Sequence, residues 1–134
     1  AASYLQFAPA PVVRKGGVII IPAPCPEGVG QGAGEQSFRA AMQEPGGPAA
    51  IIAKARREGI RPGQQRAYIM ARVLEDVTVM VVGATDPGAV QAIGCVPVAT
   101  MEEALDHAAR LVGAPATALV VPHALLTLPV VTPA

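Results

Sequence analysis

Apolar residues of the 134-residue chain concentrate in four short runs that are separated by longer mixed segments. The first run, residues 18–21, consists of one valine and three isoleucines, which is typical of a strand buried on both faces. The second run covers residues 77–83, the third residues 95–99 and the fourth residues 117–122. Pro97 in the third run cannot donate a ladder hydrogen bond, so this strand is predicted near a sheet edge. The pattern predicts four strands.

The mixed segments between these runs favour helices. In residues 62–77 apolar side chains recur at spacings of three and four residues, which indicates an amphipathic helix: Ile69, Met70, Val73 and Leu74. Thr100 and Glu103 form a capping box at the start of another helix, in which each side chain accepts a backbone N–H that the helix leaves free. Further helices are predicted at residues 34–43, 48–59 and 86–94, with a short one before Pro9.

Strands that alternate with helices favour a parallel sheet, because each helix carries the chain over a right-handed crossover. We therefore predict that residues 1–134 form a single α/β domain, a three-layer αβα arrangement with a mainly parallel four-stranded sheet. The closing residues, 123–134, are apolar and interrupted by prolines. They are predicted to lie across a partner domain or a sheet edge.

The composition of the chain excludes some classes of binding partner. Ten basic and ten acidic residues cancel, which argues against a nucleic-acid or anionic-membrane binder, because both depend on excess positive charge. No apolar run is long enough to span a bilayer. Cys25 and Cys95 stand far apart and outside any metal-binding spacing, which favours a reducing, cytoplasmic location. The first residue is Ala rather than Met, so we expect a processed chain or a piece of a larger protein.

A loop rich in glycine and proline, residues 22–34, follows the first predicted strand. Ligands of open parallel sheets gather at the carboxyl ends of the strands, so this loop is the first candidate site. Gly28, Gly30 and Ala33 match a dinucleotide fingerprint, but the glycines begin too far from the strand and the expected acidic residue is missing. A mononucleotide or dinucleotide site is therefore disfavoured but stays open as an alternative.

Five residues are the candidate cleft-facing positions: Cys25, Glu27, Gly28, Gly30 and His123. Cys25 is either a nucleophile at a strand end or a small apolar filler of the turn. His123 follows the fourth run and would reach the same rim of a parallel sheet. No residue is assigned a catalytic role and no metal ligand is proposed, because neither a nucleophile and base pair nor a two-histidine spacing is present.

Several segments together resemble a known family: "APVVRKGGVIIIPAPCPEGVG", "PGQQRAYIMAR", "TMEEALDHA" and "VVPHALLTLP". Their order and spacing are similar to the C-terminal domain of the nickel-dependent lactate racemase family. The resemblance covers nearly the whole chain. It implies a two-domain enzyme that interconverts the stereoisomers of a small 2-hydroxy acid by passing a hydride to and from a nickel-pincer nucleotide.

In that family the cofactor and the acid and base residues belong to an amino-terminal domain, which is absent here. The resemblance therefore implies no cofactor bound by this domain alone, a partner amino-terminal domain, and a chain that is inactive by itself. A homo-oligomer is a further predicted assembly. The family contributes an aromatic-Gln-x-x-Lys motif at the start of this domain, where the chain offers Tyr4 and Gln6 without the lysine. Gln65 and Ala124 replace a frequent histidine and glycine, so the substrate could differ from lactate.

Two other functions stay open. The first is a non-catalytic binding or scaffolding module that holds a nucleotide or a protein partner. The second is a thiol enzyme that uses Cys25.

Overall fold

The computed structural model describes residues 2–7, 10–113 and 115–131. Helices and strands alternate along most of this length. The elements in chain order are α1 (Ala2–Gln6), β1 (Val18–Pro22), α2 (Ala33–Met42), α3 (Gly47–Glu58), α4 (Gln65–Asp76), β2 (Thr78–Val82), α5 (Pro87–Ala92), β3 (Val96–Val98) and α6 (Met101–Val112). None of the helices within the described residues combines the length and the hydropathy needed to cross a bilayer.

The strands form one parallel sheet with β2 in the middle and the order β1-β2-β3. Val18 pairs with Thr78 at the start of β1, and Val96 pairs with Met80 at the start of β3. The predicted α/β class and the parallel sheet are therefore confirmed. All carboxyl ends of the strands lie at one edge of the sheet, which is where the loop after β1 begins.

The predicted fourth strand is wrong, because residues 117–122 form no strand and the sheet of the described residues has three strands. Val98 accepts a hydrogen bond from the Gly83 N–H at 2.9 Å, so its backbone points toward β2. Backbone groups alternate in direction along a strand, and Pro97 therefore presents its nitrogen, which has no hydrogen, to the outer edge of β3. This three-residue edge cannot accept a regular neighbour on that side.

The core lies on both faces of the sheet. On one face Ile19, Val79 and Val81 pack with buried side chains of α1, α4 and α5. On the other face Met80 packs with Ala104 of α6 and with its neighbours in the strands. Successive side chains of a strand point to opposite faces, which explains why Val79 and Met80 belong to different clusters. Helices cover both faces, so the domain has three layers.

A second cluster joins α2, α3 and α4, the three helices between β1 and β2. Ile51 and Ile52 of α3 pack against Ala67 and Ala71 of α4 and against Met42 of α2. Ala67 and Ala71 are fully buried, and their small side chains let α3 and α4 approach closely. The helical layer thus holds α2 in place directly after the glycine loop.

The predicted capping box is present at the start of α6. The Glu103 N–H donates to Thr100 Oγ1 at 3.2 Å, and the Glu103 carboxylate accepts the Ala99 N–H at 3.0 Å. The carboxylate thus reaches one residue further back than the usual box, in which it accepts the N–H of the capping residue itself.

Replacing Thr100 with alanine is expected to lower the free energy of unfolding by about 1 kcal/mol, because one N-terminal N–H loses its acceptor. Urea denaturation of the purified domain measures this loss. Thr100→Ser keeps the hydroxyl and is the matched control. Equal destabilisation by both substitutions would contradict a role of the hydroxyl as the cap.

Candidate functional site

Hydrogen bonds join the loop after β1 to the end of β2 and the loop after it, at the carboxyl edge of the sheet. The Ala23 N–H donates to the Val82 carbonyl at 3.0 Å. Thr85 donates twice to the Pro24 carbonyl, from its backbone N–H at 2.8 Å and from Oγ1 at 2.9 Å. The two loops therefore form one continuous rim, which positions the residues that follow each strand relative to each other.

Two tight turns shape the first half of the loop. The Gly28 N–H donates to the Cys25 carbonyl at 2.9 Å, and the Gly30 N–H donates to the Glu27 carbonyl at 3.0 Å. Gly28 and Gly30 both have positive φ, and Cys25 is the one non-glycine residue with positive φ in the described chain, at 43°. A side chain in this left-handed region costs about 1 kcal/mol, so the surrounding hydrogen bonds hold Cys25 in a conformation it would rarely adopt alone.

An open cavity of about 460 Å³ lies between this loop, α2 and the start of α5. Much of it is open to solvent, so it is a surface cleft rather than an enclosed pocket. The lining residues are Pro26, Glu27, Gly28, Val29, Gln31, Arg39, Asp86 and Ala89. A second cavity, lined by residues of α2, α3 and α4 and of the loop before α4, measures only about 70 Å³.

The charged side chains of the larger cavity are Glu27, Asp86 and Arg39. Asp86 Oδ1 accepts the Ala89 N–H at 3.1 Å, which caps α5 and fixes the carboxylate at the cavity wall. Within the described residues Arg39 is not part of an ion pair. A guanidinium fork matches a carboxylate, whereas carboxylate oxygens accept hydrogen bonds from hydroxyl groups. The cavity thus holds one group that can bind a carboxylate and two that can accept hydrogen bonds from hydroxyl groups.

Glu27 and Gly28 are the sequence candidates that line this cavity. Gly30 lies beside it, where its carbonyl accepts the Gln36 side-chain amide at 2.8 Å. Cys25 is half-buried and packs against the core under the loop. His123 is exposed in a turn of residues 122–126 and is not among the lining residues, so its predicted role in the cleft stays a prediction.

Sequence reasoning missed Arg39, Asp86 and Gln31. Asp86 could have been found, because it follows the second predicted strand and the carboxyl-edge rule applies to it as it does to Glu27. Gln31 lies in the loop of residues 22–34, so the same rule could have found it. Arg39 gave no such signal, and it reaches the cavity only because α2 packs beside the loop.

Neither Cys95 nor the basic residues Lys54 and Arg57 of α3 line this cavity. Burial raises the pKa of the Cys95 thiol to about 11, so it stays protonated inside the core. Lys54 pairs with Glu44 and Arg57 pairs with Glu58, both at 2.8 Å. These contacts are typical of a solvated helical face with surface ion pairs.

The residues described in this structure do not fit a nickel site. No group of three or more His, Cys, Asp or Glu side chains comes together in residues 2–7, 10–113 and 115–131. Glu27 and Asp86 are the two carboxylates of the cavity, and no histidine lines it. We therefore derive no chemical step through a metal at this cavity.

Comparisons with known proteins agree with this architecture. The family model of the lactate racemase C-terminal domain matches residues 6–128. The lactate racemase apoprotein from Thermoanaerobacterium thermosaccharolyticum is similar in structure, with a TM-score of 0.65 and 30% sequence identity. The similarity covers 75% of this chain and 24% of that chain, so this chain corresponds to about a quarter of its relative. No curated protein matches the sequence. The chain therefore belongs to the lactate racemase C-terminal domain family.

Proposed function

We propose that this chain is the C-terminal domain of a lactate racemase-like 2-hydroxyacid isomerase. It forms one wall of an interdomain active-site cleft and is inactive without its amino-terminal partner domain. The observation that carries the proposal is the cavity at the carboxyl edge of the sheet, which combines Arg39 with Glu27 and Asp86 in a domain of this family.

Racemisation of a 2-hydroxy acid requires that the hydrogen on the hydroxyl-bearing carbon leaves and returns on either face. Such a reaction needs the carboxylate and the hydroxyl group to be held in fixed positions. Arg39 would bind the carboxylate through its two parallel N–H groups, and Glu27 or Asp86 would accept the hydroxyl hydrogen. The role of this domain is thus to position the substrate. The nickel-pincer nucleotide and the groups that move the proton and hydride would belong to the amino-terminal domain.

A nucleotide-binding module is the alternative, and the sequence of the glycine loop argues against it. Its glycines begin too far from β1 for a dinucleotide fingerprint, and the acidic residue expected after a second strand is missing. A cytoplasmic location and assembly into a homo-oligomer remain parts of the proposal.

A chimera tests the proposed function. This chain replaces the matching quarter of the Thermoanaerobacterium lactate racemase, and chiral chromatography follows the interconversion of D- and L-lactate and of longer 2-hydroxy acids. We expect the chain alone to have no racemase activity and the cofactor-loaded chimera to racemise at least one of these acids. The relative with its matching quarter removed is the control. A folded chimera that is silent on every acid, or turnover by the chain alone, would refute the proposal.

A further inference from the structure

The segment after α6 exposes a continuous set of apolar side chains. We call residues 115–131 the C-terminal segment. Seven of its large apolar residues are exposed, in fractions that reach 82% for Val120 and 89% for Leu126. These residues are Leu119, Val120, Leu125, Leu126, Leu128, Val130 and Val131. Single exposed apolar residues are common, but a set of this size marks a binding surface.

The sequence of the C-terminal segment excludes most polar partners. It contains no Asp, Glu, Lys or Arg, and His123 is its one titratable side chain. A surface without charge gains little from a nucleic acid or a charged membrane headgroup. Its natural partner is therefore an apolar protein surface.

The C-terminal segment is also partly organised before it binds. The His123 carbonyl accepts the Leu126 N–H at 2.8 Å and Thr127 Oγ1 at 2.9 Å, which closes a turn. Pro115, Pro122 and Pro129 fix φ at three further positions. A restricted backbone loses less entropy on binding, so these features favour docking.

The sheet of this chain does not cover the C-terminal segment, although it lies within reach. The Val112 carbonyl at the end of α6 accepts a hydrogen bond from Arg14 at 3.4 Å, so the segment starts close to the beginning of β1. A tethered surface so near the sheet would bind it at a high effective concentration. Leu119 nevertheless remains 67% exposed. Any surface that covers the segment must therefore lie outside the described part of this chain.

The comparisons indicate which protein supplies that surface. The family model extends to residue 128, so most of the C-terminal segment, residues 115–128, is part of the family domain. The matched region is only 24% of the similar lactate racemase chain, so most of that protein lies outside this domain. We infer that the C-terminal segment docks into an apolar groove of the amino-terminal domain. This inference rests on the proposed function, because the partner is the other half of the same enzyme.

Hydroxyl-radical labelling of leucine side chains tests the inference in the chimera described above. Labelling of Leu119, Leu125 and Leu126 is expected to fall roughly tenfold from the chain alone to the chimera, because a covered side chain loses nearly all its exposed surface. Leu126→Ser together with Leu128→Ser should restore the labelling of Leu119 and Leu125 in the chimera. Leu105→Ser is the control, since Leu105 is 52% exposed on α6 outside the segment.

Three outcomes would overturn the inference. Labelling of the chimera that equals labelling of the chain alone would show that the amino-terminal domain leaves the segment exposed. Low labelling of the chain alone at high dilution would mean that its own sheet covers the segment. Protection that increases with the concentration of the chain alone would identify a second copy as the partner. Labelling is independent of turnover. A chimera that is protected from labelling but catalytically inactive would therefore refute the proposed function and still support the docking of the C-terminal segment.

Discussion

Met80→Ala is expected to lower the free energy of unfolding by about 2–5 kcal/mol, the range for buried Met to Ala changes. Met80 is fully buried in the middle of β2, the central strand of the sheet. Its side chain packs with Val82, Val98 and Ala104, and α6 covers it on that face. Removing it leaves a cavity that the paired strands cannot close, because their register is fixed on both sides.

Chemical denaturation of the isolated domain measures this effect through the midpoint at constant m value. Met101→Ala is the matched control, since Met101 is 40% exposed at the start of α6. It should cost less than about 1 kcal/mol, as is usual for surface substitutions. Equal losses for the two methionines would contradict the assignment of the core to the face between β2 and α6.

Arg39→Ala in the active chimera is expected to lower kcat/KM by about 10- to 100-fold, because a charge-assisted hydrogen bond contributes about 1.5–3 kcal/mol. Arg39 is the one cationic side chain that lines the cavity, where it would face the substrate carboxylate. If it binds the ground state and the transition state equally, most of the loss appears as a higher KM. Steady-state kinetics at several substrate concentrations separate the two parameters.

Two further variants sharpen this experiment. Arg39→Lys keeps the positive charge but loses the planar fork, so it should recover part of the lost activity. Arg66→Ala removes an exposed arginine from the first turn of α4 that does not line the cavity, and it should leave kinetics unchanged. An Arg66 variant as impaired as the Arg39 variant would show that overall charge, and not the cavity, controls activity.

The helices show what the spacing of apolar residues alone could predict about helix bounds and buried side chains. It placed α4 within a few residues and named Val73, which is fully buried. It also named Ile69, which is 41% exposed, and it overlooked Ala67 and Ala71. Apolar spacing weighs a residue by its hydrophobicity, whereas packing against α3 selects the small side chains that let two helices touch.

For the fourth strand, the sequence pattern predicted an element that does not form. Residues 117–122 have the composition of a strand, but a strand exists only when a neighbour accepts its backbone hydrogen bonds. Pro97 blocks the outer edge of β3, and the C-terminal segment remains exposed. No local pattern in residues 117–122 could have revealed that they form no strand, because strand formation depends on a neighbouring strand from another part of the chain.

By itself, the sequence determined the class of the fold, the positions of the three strands that form and the glycine loop with Glu27 and Gly28 at their carboxyl edge. These features follow from local rules, since β-branched runs, caps and glycine turns act over a few residues. Only the tertiary structure decided that Arg39 shares the cavity with Glu27 and that residues 117–122 stay outside the sheet. Both depend on which surfaces meet after folding, and contacts between residues far apart in the chain leave no mark in the local pattern.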